Sequence, residues 1–310
     1  MSFYTKFTPL AIAACLAAPA LAQEVSINSY AGEVTVAANP QTIAVLDIAA
    51  IDTLDALGVP IAGVPAPFYV GYLDHLAADA TVVGSLFEPD FEGLAILNPD
   101  LIVAGGRSST QVEPLSEIAP TVDMTIWDDG HVAQVLSRLD SFAALTGKEA
   151  EAAALTESFN ARMAESFNAR MADAQAAVDG KGNALVVMTN GGKVSAYGTG
   201  SRFGWLHNAL NLPEAVEGVD EETHGEAISF EFIADANPDW LIVIDRSAAI
   251  GQEGEAAATT LDNPLVAGTT AWSQGQVIYL NSANVYIAGG GYQAMMDTFE
   301  TLIAGFGDGA

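Results

Sequence analysis

The sequence predicts an α/β protein made of two Rossmann-like lobes that are bridged by a single long α-helix. Three observations lead to this prediction. Short β-branched runs alternate with helix-like segments in two stretches of the chain, a helix-favouring segment separates these stretches, and one motif occurs in both. The predicted boundaries are residues 23–147 for the N-terminal lobe, 148–180 for the bridging helix and 181–310 for the C-terminal lobe.

The first 22 residues are typical of a secretory signal peptide. Lys6 supplies the positive charge, residues 10–18 are apolar, and Ala-Leu-Ala at 20–22 fits the small-x-small rule for cleavage. Cys15 is the only cysteine, and lipid attachment there is the alternative, although it would leave a very short leader. We therefore expect an exported, periplasmic protein that has no disulfide after cleavage.

Five strands are predicted in the first lobe. Each is a short run of aliphatic and β-branched residues, and helix-like segments separate consecutive runs. Such alternation is typical of parallel βαβ units. The first helix is predicted at residues 51–57, and the strands at residues 42–47, 61–65, 82–85, 101–105 and 122–125.

Four strands with interleaved helices are predicted in the second lobe, at residues 183–189, 194–197, 240–244 and 277–280. Between the lobes, residues 148–179 are rich in Ala, Glu, Arg and Met without Pro or Gly, and Gly180 lies where a helix cap is expected. A helix of this length spans about 48 Å. The octapeptide ESFNARMA occurs twice in it, at 157–164 and 165–172, and we interpret this as a slippage duplication without function.

The pattern F-E-x-x-A-x-x-N-P-D begins at Phe91 and again at Phe230. An apolar run follows each copy, and an arginine ends each run, Arg107 in one case and Arg246 in the other. Asn-Pro-Asp alone is ordinary punctuation between a helix and a strand. The shared Phe, Glu, Ala and Arg favour two lobes of one design, and a cleft between such lobes is a favoured ligand site.

The chain is strongly acidic, with 39 acidic and 10 basic residues among 310 and a net charge of −29. This charge repels phosphate backbones and anionic lipid headgroups, so nucleic acids and membrane surfaces are not expected partners. Half of the residues are apolar, which is enough to build a sizeable core and excludes disorder as the main state.

Three of the few basic residues occur where a ligand site is expected. Arg107 and Arg246 end the duplicated runs, and Arg202 lies in the segment YGTGSRFG at 197–204. The carboxyl ends of parallel strands face the ligand crevice, so these arginines are predicted to form a local cationic pocket. Guanidinium groups suit carboxylate, phosphate or catecholate oxygens. The alternative is that each arginine pairs with one of the abundant acids.

A catalytic set is not recognisable in the sequence. It contains no GxSxG elbow and no H-x-x-x-H or H-E-x-x-H spacing, so an enzyme is not expected. His224 lies in a polar loop, and Tyr286 follows the last predicted strand. Together a phenolate and an imidazole are suitable ligands for ferric iron.

From residue 42 to the last helix, the chain resembles the periplasmic ferric-siderophore-binding proteins of bacterial ABC importers, specifically the catecholate and petrobactin-type subgroup. The stretches that carry the resemblance are SRFG at 201–204, HGEAISFEF at 224–232, NPDWLIVIDR at 237–246 and VYIAGG at 285–290. The resemblance implies the class III periplasmic binding-protein fold, which closes only slightly on its ligand. It also implies a binding protein without catalysis or intrinsic cofactor, which carries an Fe(III)-siderophore to an ABC permease and its ATPase.

The resemblance also assigns roles to individual residues. His224 and Tyr286 would complete the coordination of Fe(III) in a tetradentate catecholate siderophore. The anionic chelate would contact Arg107, Arg202 and Arg246.

The glutamates of the repeated motif, Glu92 and Glu231, would dock on arginines of the permease. We expect the protein to act as a monomer. Val285 is a departure from the subgroup, which usually has an aromatic residue before the ligand tyrosine.

Two other functions stay open at this point. The same fold could bind haem, cobalamin or a hydroxamate siderophore, and a neutral hydroxamate would need fewer arginines and no His/Tyr pair. An exported metal-dependent enzyme would need an open metal position with general acid and base groups, and the sequence shows no spacing that supplies them.

Overall fold

A computed structural model describes residues 23–126, 130–162, 182–219, 225–252 and 254–308. These residues form a two-stranded hairpin and two five-stranded sheets with helices around them, which confirms the predicted α/β class. Within the same ranges, every helix is too short or too polar to cross a lipid bilayer.

An antiparallel hairpin, which the sequence analysis did not predict, precedes the first sheet. It consists of β1, Glu24–Ser29, and β2, Gly32–Ala37. Asn28 N donates to Ser141 Oγ at 3.1 Å, and Ile27 is buried, so the hairpin packs on the N-terminal lobe.

The sheet of the N-terminal lobe is entirely parallel, as predicted, with the order β5-β4-β3-β6-β7. All five strands overlap the predicted runs and are shorter than them, and the edge strands β5 and β7 each begin one residue earlier than predicted. The strands are β3 Ile43–Val45, β4 Gly63–Val64, β5 Thr81–Val82, β6 Leu101–Ala104 and β7 Thr121–Asp123.

Side-chain and glycine caps set the ends of the surrounding helices. Asp47 starts the first helix because its Oδ1 accepts from Ala50 N at 2.8 Å, and Gly147 ends the fourth at a φ of 68°, which favours glycine. The helices are α1 Ile48–Ala56, α2 Phe91–Leu97, α3 Val112–Leu115 and α4 His131–Thr146, with 3₁₀ helices at Gly71–Ala78 and Gly106–Gln111.

The next helix, α5, spans Glu149–Arg162 and coincides with the first half of the predicted bridge. Its buried Phe159 packs against Phe299, with the ring centroids 5.9 Å apart. Residues 163–181, which hold the second copy of the octapeptide, lie outside the described residues. The full length of the bridge and the effect of the duplication stay predictions.

The sheet of the C-terminal lobe has the order β10-β9-β8-β11-β12. Its strands β8, β11 and β12 are parallel, whereas β9 and β10 are antiparallel to their neighbours. The strands are β8 Ala184–Asn190, β9 Lys193–Tyr197, β10 Glu226–Ile228, β11 Trp240–Asp245 and β12 Val277–Tyr279.

The expectation of interleaved helices throughout this lobe is wrong for β8 and β9. A two-residue turn joins them, because Gly191 and Gly192 adopt φ values of 55° and 82°, as a tight hairpin turn requires. Strand β10 was also not predicted. It is only three residues long and pairs at the edge of the sheet.

Eight helices of the C-terminal lobe lie within the described ranges. They are α6 Trp205–Leu210, α7 Phe230–Ala236, α8 Arg246–Ala249, α9 Ala257–Leu261, α10 Pro264–Ala267, α11 Thr270–Ser273, α12 Ser282–Tyr286 and α13 Tyr292–Asp308.

The repeated motif builds the same structure in both lobes. Helices α2 and α7 end at Asn98 and Asn237, which adopt left-handed φ values of 50° and 40°. The aspartate of each motif then accepts a backbone N–H at the start of the lobe's first sheet strand. Asp100 Oδ2 accepts from Thr42 N at 2.9 Å, and Asp239 Oδ2 accepts from Asn183 N at 3.3 Å.

Helix α13 packs on both lobes. A Cβ at Gly305 would lie 2.7 Å from Ile278 Cγ1 of β12, so this end of the helix lies closely on the C-terminal sheet. At the other end, the amides of Gln293 and Ala294 donate to Asp52 of α1 at 2.6 and 3.0 Å. The helix therefore joins the two lobes beside the predicted bridge.

Candidate functional site

The structure brings the three predicted arginines to one residue, Tyr286. Arg107 Nη2 and Arg202 Nη2 donate to its backbone oxygen at 3.0 and 2.7 Å, and Arg246 Nε donates to its Oη at 3.3 Å. The guanidinium carbons of Arg107, Arg202 and Arg246 lie 5.1, 4.5 and 5.9 Å from the centre of its ring. Cation–π attraction therefore supplements the hydrogen bonds.

Arg107 and Arg246 are held by the carboxyl ends of β6 and β11, where parallel sheets form ligand crevices. Before Arg107, Gly106 N donates to Thr125 Oγ1 at 2.8 Å. Arg246 opens α8, which Asp245 caps by accepting from Ala248 N at 3.1 Å. Both arginines are thus placed by the first turn after a strand.

Arg202 lies in a compact turn between β9 and α6. Ser201 N donates to Gly198 O at 3.0 Å, and Gly204 N donates to Ser201 O at 2.9 Å. A Cβ at Gly204 would lie 2.0 Å from Thr199 O, so this turn requires glycine. The turn directs the Arg202 side chain at Tyr286.

Tyr286 is the last residue of α12, which is tied to the end of β11. Asn281 caps this helix by accepting from Asn284 N at 3.3 Å, and Ser282 Oγ accepts from Asp245 N at 2.8 Å. The elements that carry Arg246 and Tyr286 are therefore fixed to each other.

Positive charge dominates the electrostatics around Tyr286. Two ion pairs occur among the described residues, His75–Asp55 and Lys148–Glu151, and neither involves the three arginines. Burial acts to raise the pKa of Tyr286. The hydrogen bond from Arg246 and the charges of the three arginines outweigh burial, so the pKa lies below its ordinary value. The phenol is thus easier to ionise than an ordinary tyrosine.

A cleft lies beside this cluster. Its walls include Asp47, Arg107, His131, Arg202, Trp205 and Tyr286. Residues from both lobes thus face the same space, which confirms that the lobes form a cleft.

His131 also lines the cleft, although the sequence analysis does not identify it as a site residue. Its ring stacks on Trp205 with the centroids 4.7 Å apart, and its Nε2 donates to Gly289 O at 2.7 Å. Burial lowers the pKa of His131 to about 4, the hydrogen bond to Gly289 opposes this change, and the charge of Arg202 adds to it. The ring is therefore neutral at pH 7. A lone histidine after a glycine gives no signal of such a position.

The predicted ligand His224 lies outside the described residues. The next residue, Gly225, is packed tightly against Tyr197, since a Cβ there would lie 2.8 Å from Tyr197 Cζ. Tyr197 packs against Phe203, with centroids 4.7 Å apart, and Phe203 lies 6.5 Å from the Tyr286 ring. Among the described residues, no three His, Cys, Asp or Glu side chains could hold a metal ion.

The predicted docking residues occupy matching places on the two lobes. Glu92 lies in the first turn of α2 and Glu231 in the first turn of α7, and both are exposed. Hydrogen bonds from its own backbone N–H and from Ser229 lower the pKa of Glu231. Both positions are available to a partner.

Residues 43–283 match the family described as periplasmic binding protein. The petrobactin-binding protein YclQ of Bacillus subtilis is 36% identical over 267 residues, which cover 85% of this chain and 82% of that protein. The ferric-anguibactin-binding protein FatB of Vibrio anguillarum is 31% identical over 291 residues, which cover 90% of this chain and 87% of that protein.

Solved structures show the same similarity. The crystal structure of YclQ superposes with a TM-score of 0.80 at 31% identity, covering 92% of this chain and 99% of that chain. The periplasmic catecholate-siderophore binding protein VctP of Vibrio cholerae gives a TM-score of 0.80 at 30% identity, with 92% and 99% covered.

Proposed function

Because this chain belongs to the periplasmic binding protein family, we propose that it captures a ferric catecholate siderophore in the cleft between its lobes and delivers it to an ABC permease. Its fold is the class III fold that the sequence predicts. The relatives are named as binding proteins, and we propose that this protein likewise binds and releases its ligand without catalysis.

The observation that carries the proposal is the meeting of Arg107, Arg202 and Arg246 at Tyr286. A protein with a net charge of −29 repels anions over most of its surface, so an anionic ligand needs a local cationic site. Guanidinium groups donate several N–H bonds in fixed directions, which suits the oxygen atoms of a catecholate chelate. A neutral hydroxamate chelate would not need this concentration of charge.

Tyr286 supplies the oxygen donor for the iron, which is cargo here. The arginines lower the pKa of its phenol, which favours the phenolate that a ferric ion accepts as a ligand. We propose His224 as the second protein ligand. This assignment rests on the resemblance of residues 224–232, and together the two residues would complete the iron shell left open by a tetradentate siderophore.

Delivery would use the two matching surface glutamates. Glu92 and Glu231 are exposed on equivalent helices, one on each lobe, and would dock on arginines of the permease. We further propose export through a signal peptide at residues 1–22, with lipid attachment at Cys15 as the alternative, and action as a monomer.

Titration of the chain from residue 23 with the ferric complex of a tetradentate bis-catecholate tests the proposal. Trp205 lines the cleft, so its fluorescence reports binding, and the ligand-to-metal absorption band reports coordination. Wild type should bind and shift the band. Tyr286→Phe should lose the shift, because it removes Oη but retains the backbone oxygen that Arg107 and Arg202 bind.

In the same titration, Arg107→Ala, Arg202→Ala and Arg246→Ala should each raise Kd by about 10- to 150-fold, the equivalent of ~1.5–3 kcal/mol for a hydrogen bond to a charged group. Lys148→Ala is the matched control, since this lysine pairs with Glu151 outside the cleft. Binding without a band shift would mean that the protein does not coordinate the iron. Absence of binding would remove the catecholate assignment and leave haem, cobalamin and hydroxamates for testing.

A further inference from the structure

Phe87 is an exposed aromatic side chain beside the cationic cluster. It is 60% exposed, and its ring centre lies 6.0 Å from the guanidinium carbon of Arg107. The ring of Tyr286 lies 5.1 Å from the same carbon. Single exposed apolar residues are common, but this one lies beside a cation that the proposed function assigns to the ligand.

The turn that carries Phe87 is closed by its own hydrogen bonds. Ser85 Oγ accepts from Phe87 N at 3.3 Å and from Glu88 N at 3.0 Å, and Ser85 N donates to Glu88 O at 2.9 Å. Asp90 N then donates to Val83 O at 3.0 Å, which ties the turn to the end of β5. The backbone of Phe87 is therefore fixed, and its ring stays exposed on a rigid support.

A planar aromatic ligand would gain from this arrangement. An oxygen atom that accepts a hydrogen bond from Arg107 lies within about 3 Å of the guanidinium group. The catechol ring that carries this oxygen then comes within reach of the Phe87 ring. Two aromatic rings at centroid distances of 4.5–7 Å attract each other beyond the effect of burial alone. A carboxylate or hydroxamate ligand has no ring with which to make this contact.

We propose that Phe87 is a specificity-determining residue that packs against an aromatic ring of the ferric chelate and thereby selects catecholate ligands. This inference rests on the proposed function and adds to it a contact outside the arginine and tyrosine cluster. A competing role is structural, in which Phe87 only holds Arg107 in place through their cation–π contact.

A double-mutant cycle separates the two roles. Kd for the ferric bis-catecholate is measured for wild type, Phe87→Leu, Arg107→Ala and the double variant. Leucine keeps an apolar side chain of similar size but has no ring. If Phe87 contacts the ligand, Phe87→Leu raises Kd by about 2- to 10-fold in both backgrounds, the range measured for aromatic pairs.

Phe91→Leu is the matched control, because Phe91 is also exposed, at 38%, and starts the neighbouring helix α2. Its Kd should equal that of wild type. An effect of Phe87→Leu that vanishes in the Arg107→Ala background would assign Phe87 to positioning Arg107 and overturn the proposal. An unchanged Kd for Phe87→Leu would overturn it as well. Failure of wild type to bind the probe is a separate result that would refute the proposed function itself.

Discussion

Tyr286 serves the site through two different groups. Its backbone oxygen accepts from Arg107 and Arg202, and its phenol oxygen accepts from Arg246. Any residue at this position would provide the backbone oxygen, whereas only the tyrosine side chain provides the phenol. The organisation of the cluster and the proposed coordination of iron are therefore separable by mutation.

His131 places a neutral ring next to this cationic cluster. The pKa of its side chain is lowered to about 4, first by burial and further by the charge of Arg202. An unfolded chain takes up the proton near the ordinary value of about 6.5. Between these two values the unfolded state binds more protons than the folded state, so this residue makes stability fall as the pH falls.

We therefore expect His131→Phe to remove a pH dependence of folding. The aromatic ring preserves the stack on Trp205 and cannot take up a proton. From pH 7 to pH 5, the free energy of unfolding of wild type should fall by about 2 kcal/mol relative to that of the variant. Urea denaturation at the two pH values measures this difference.

His75→Phe is the control for this experiment. His75 is exposed, and its hydrogen bond to Asp55 raises its pKa, so the stability that it adds is present at low pH and is lost as the pH rises. From pH 7 to pH 5, the free energy of unfolding of wild type should therefore rise relative to that of His75→Phe. If the free energy of unfolding changes equally in wild type and in His131→Phe between the two pH values, the lowered pKa of His131 is contradicted.

At the scale of elements, α13 depends on an acceptor from the other lobe. Asp52 is completely buried in α1, and it accepts from Gln293 N and Ala294 N in the first turn of α13. Tyr72 Oη also donates to it. Burial raises the pKa of Asp52 to about 7, although each of these three hydrogen bonds acts to lower it.

Asp52→Ala should lower the free energy of unfolding by about 2 kcal/mol, because it removes a cap from a long helix and leaves buried N–H groups without an acceptor. Asp74→Ala is the control, since Asp74 is an exposed acid in the nearby 3₁₀ helix, and it should change stability by less than about 0.5 kcal/mol. Chemical denaturation at pH 7 measures the free energy of unfolding of both variants. Equal stability of the two variants would mean that α13 does not depend on this contact.

The elements differ in how far the sequence predicts them. The buried strands of the N-terminal lobe are continuous apolar runs, and their parallel pairing follows from the helices between them. The hairpin of β1 and β2 is polar on one face, and β10 is only three residues long, so neither has a comparable apolar run. The turn between β8 and β9 does have a signal, since Asn190 and two glycines are typical of a hairpin turn.

The candidate site shows the same division. The repeated motif and the strand ends predict that Arg107 and Arg246 approach each other across a cleft. Arg107 and Arg202 share the backbone oxygen of Tyr286 as their acceptor. Every residue has such an oxygen, so the sequence does not indicate which one accepts these bonds. The positions of His131 and Phe87 depend on contacts between segments far apart in the chain, which local patterns do not encode.

The whole molecule combines a strongly negative charge with a small positive site. At long range the net charge of −29 repels an anionic chelate, and at short range the arginines of the proposed site would attract it. Salt screens the long-range effect first, because the Debye length falls from about 10 Å at 0.1 M to about 3 Å at 1 M.

The association rate constant for the anionic bis-catecholate complex should therefore rise by about two- to fivefold between 0.1 and 1 M NaCl. Stopped-flow fluorescence of Trp205 measures this rate. For Arg107→Ala this rate constant should rise more steeply with salt, since the variant has less local attraction that salt can screen. A rate that falls with added salt would show that the field of the cleft, and not the net charge, governs the approach of the ligand.

The shared acceptor at Tyr286 has a consequence for how the protein exchanges its cargo. Two guanidinium groups already donate to an oxygen atom of the chain, so a chelate that takes these donors in the proposed site would substitute one acceptor for another. The free energy of capture is then the difference between two sets of hydrogen bonds. When the chelate leaves, the carbonyl oxygen can take back both donors, and no half-buried cation is left without a partner. Uptake and handover are thus opposite directions of one ligand-substitution equilibrium, for which the protein carries its own competing acceptor.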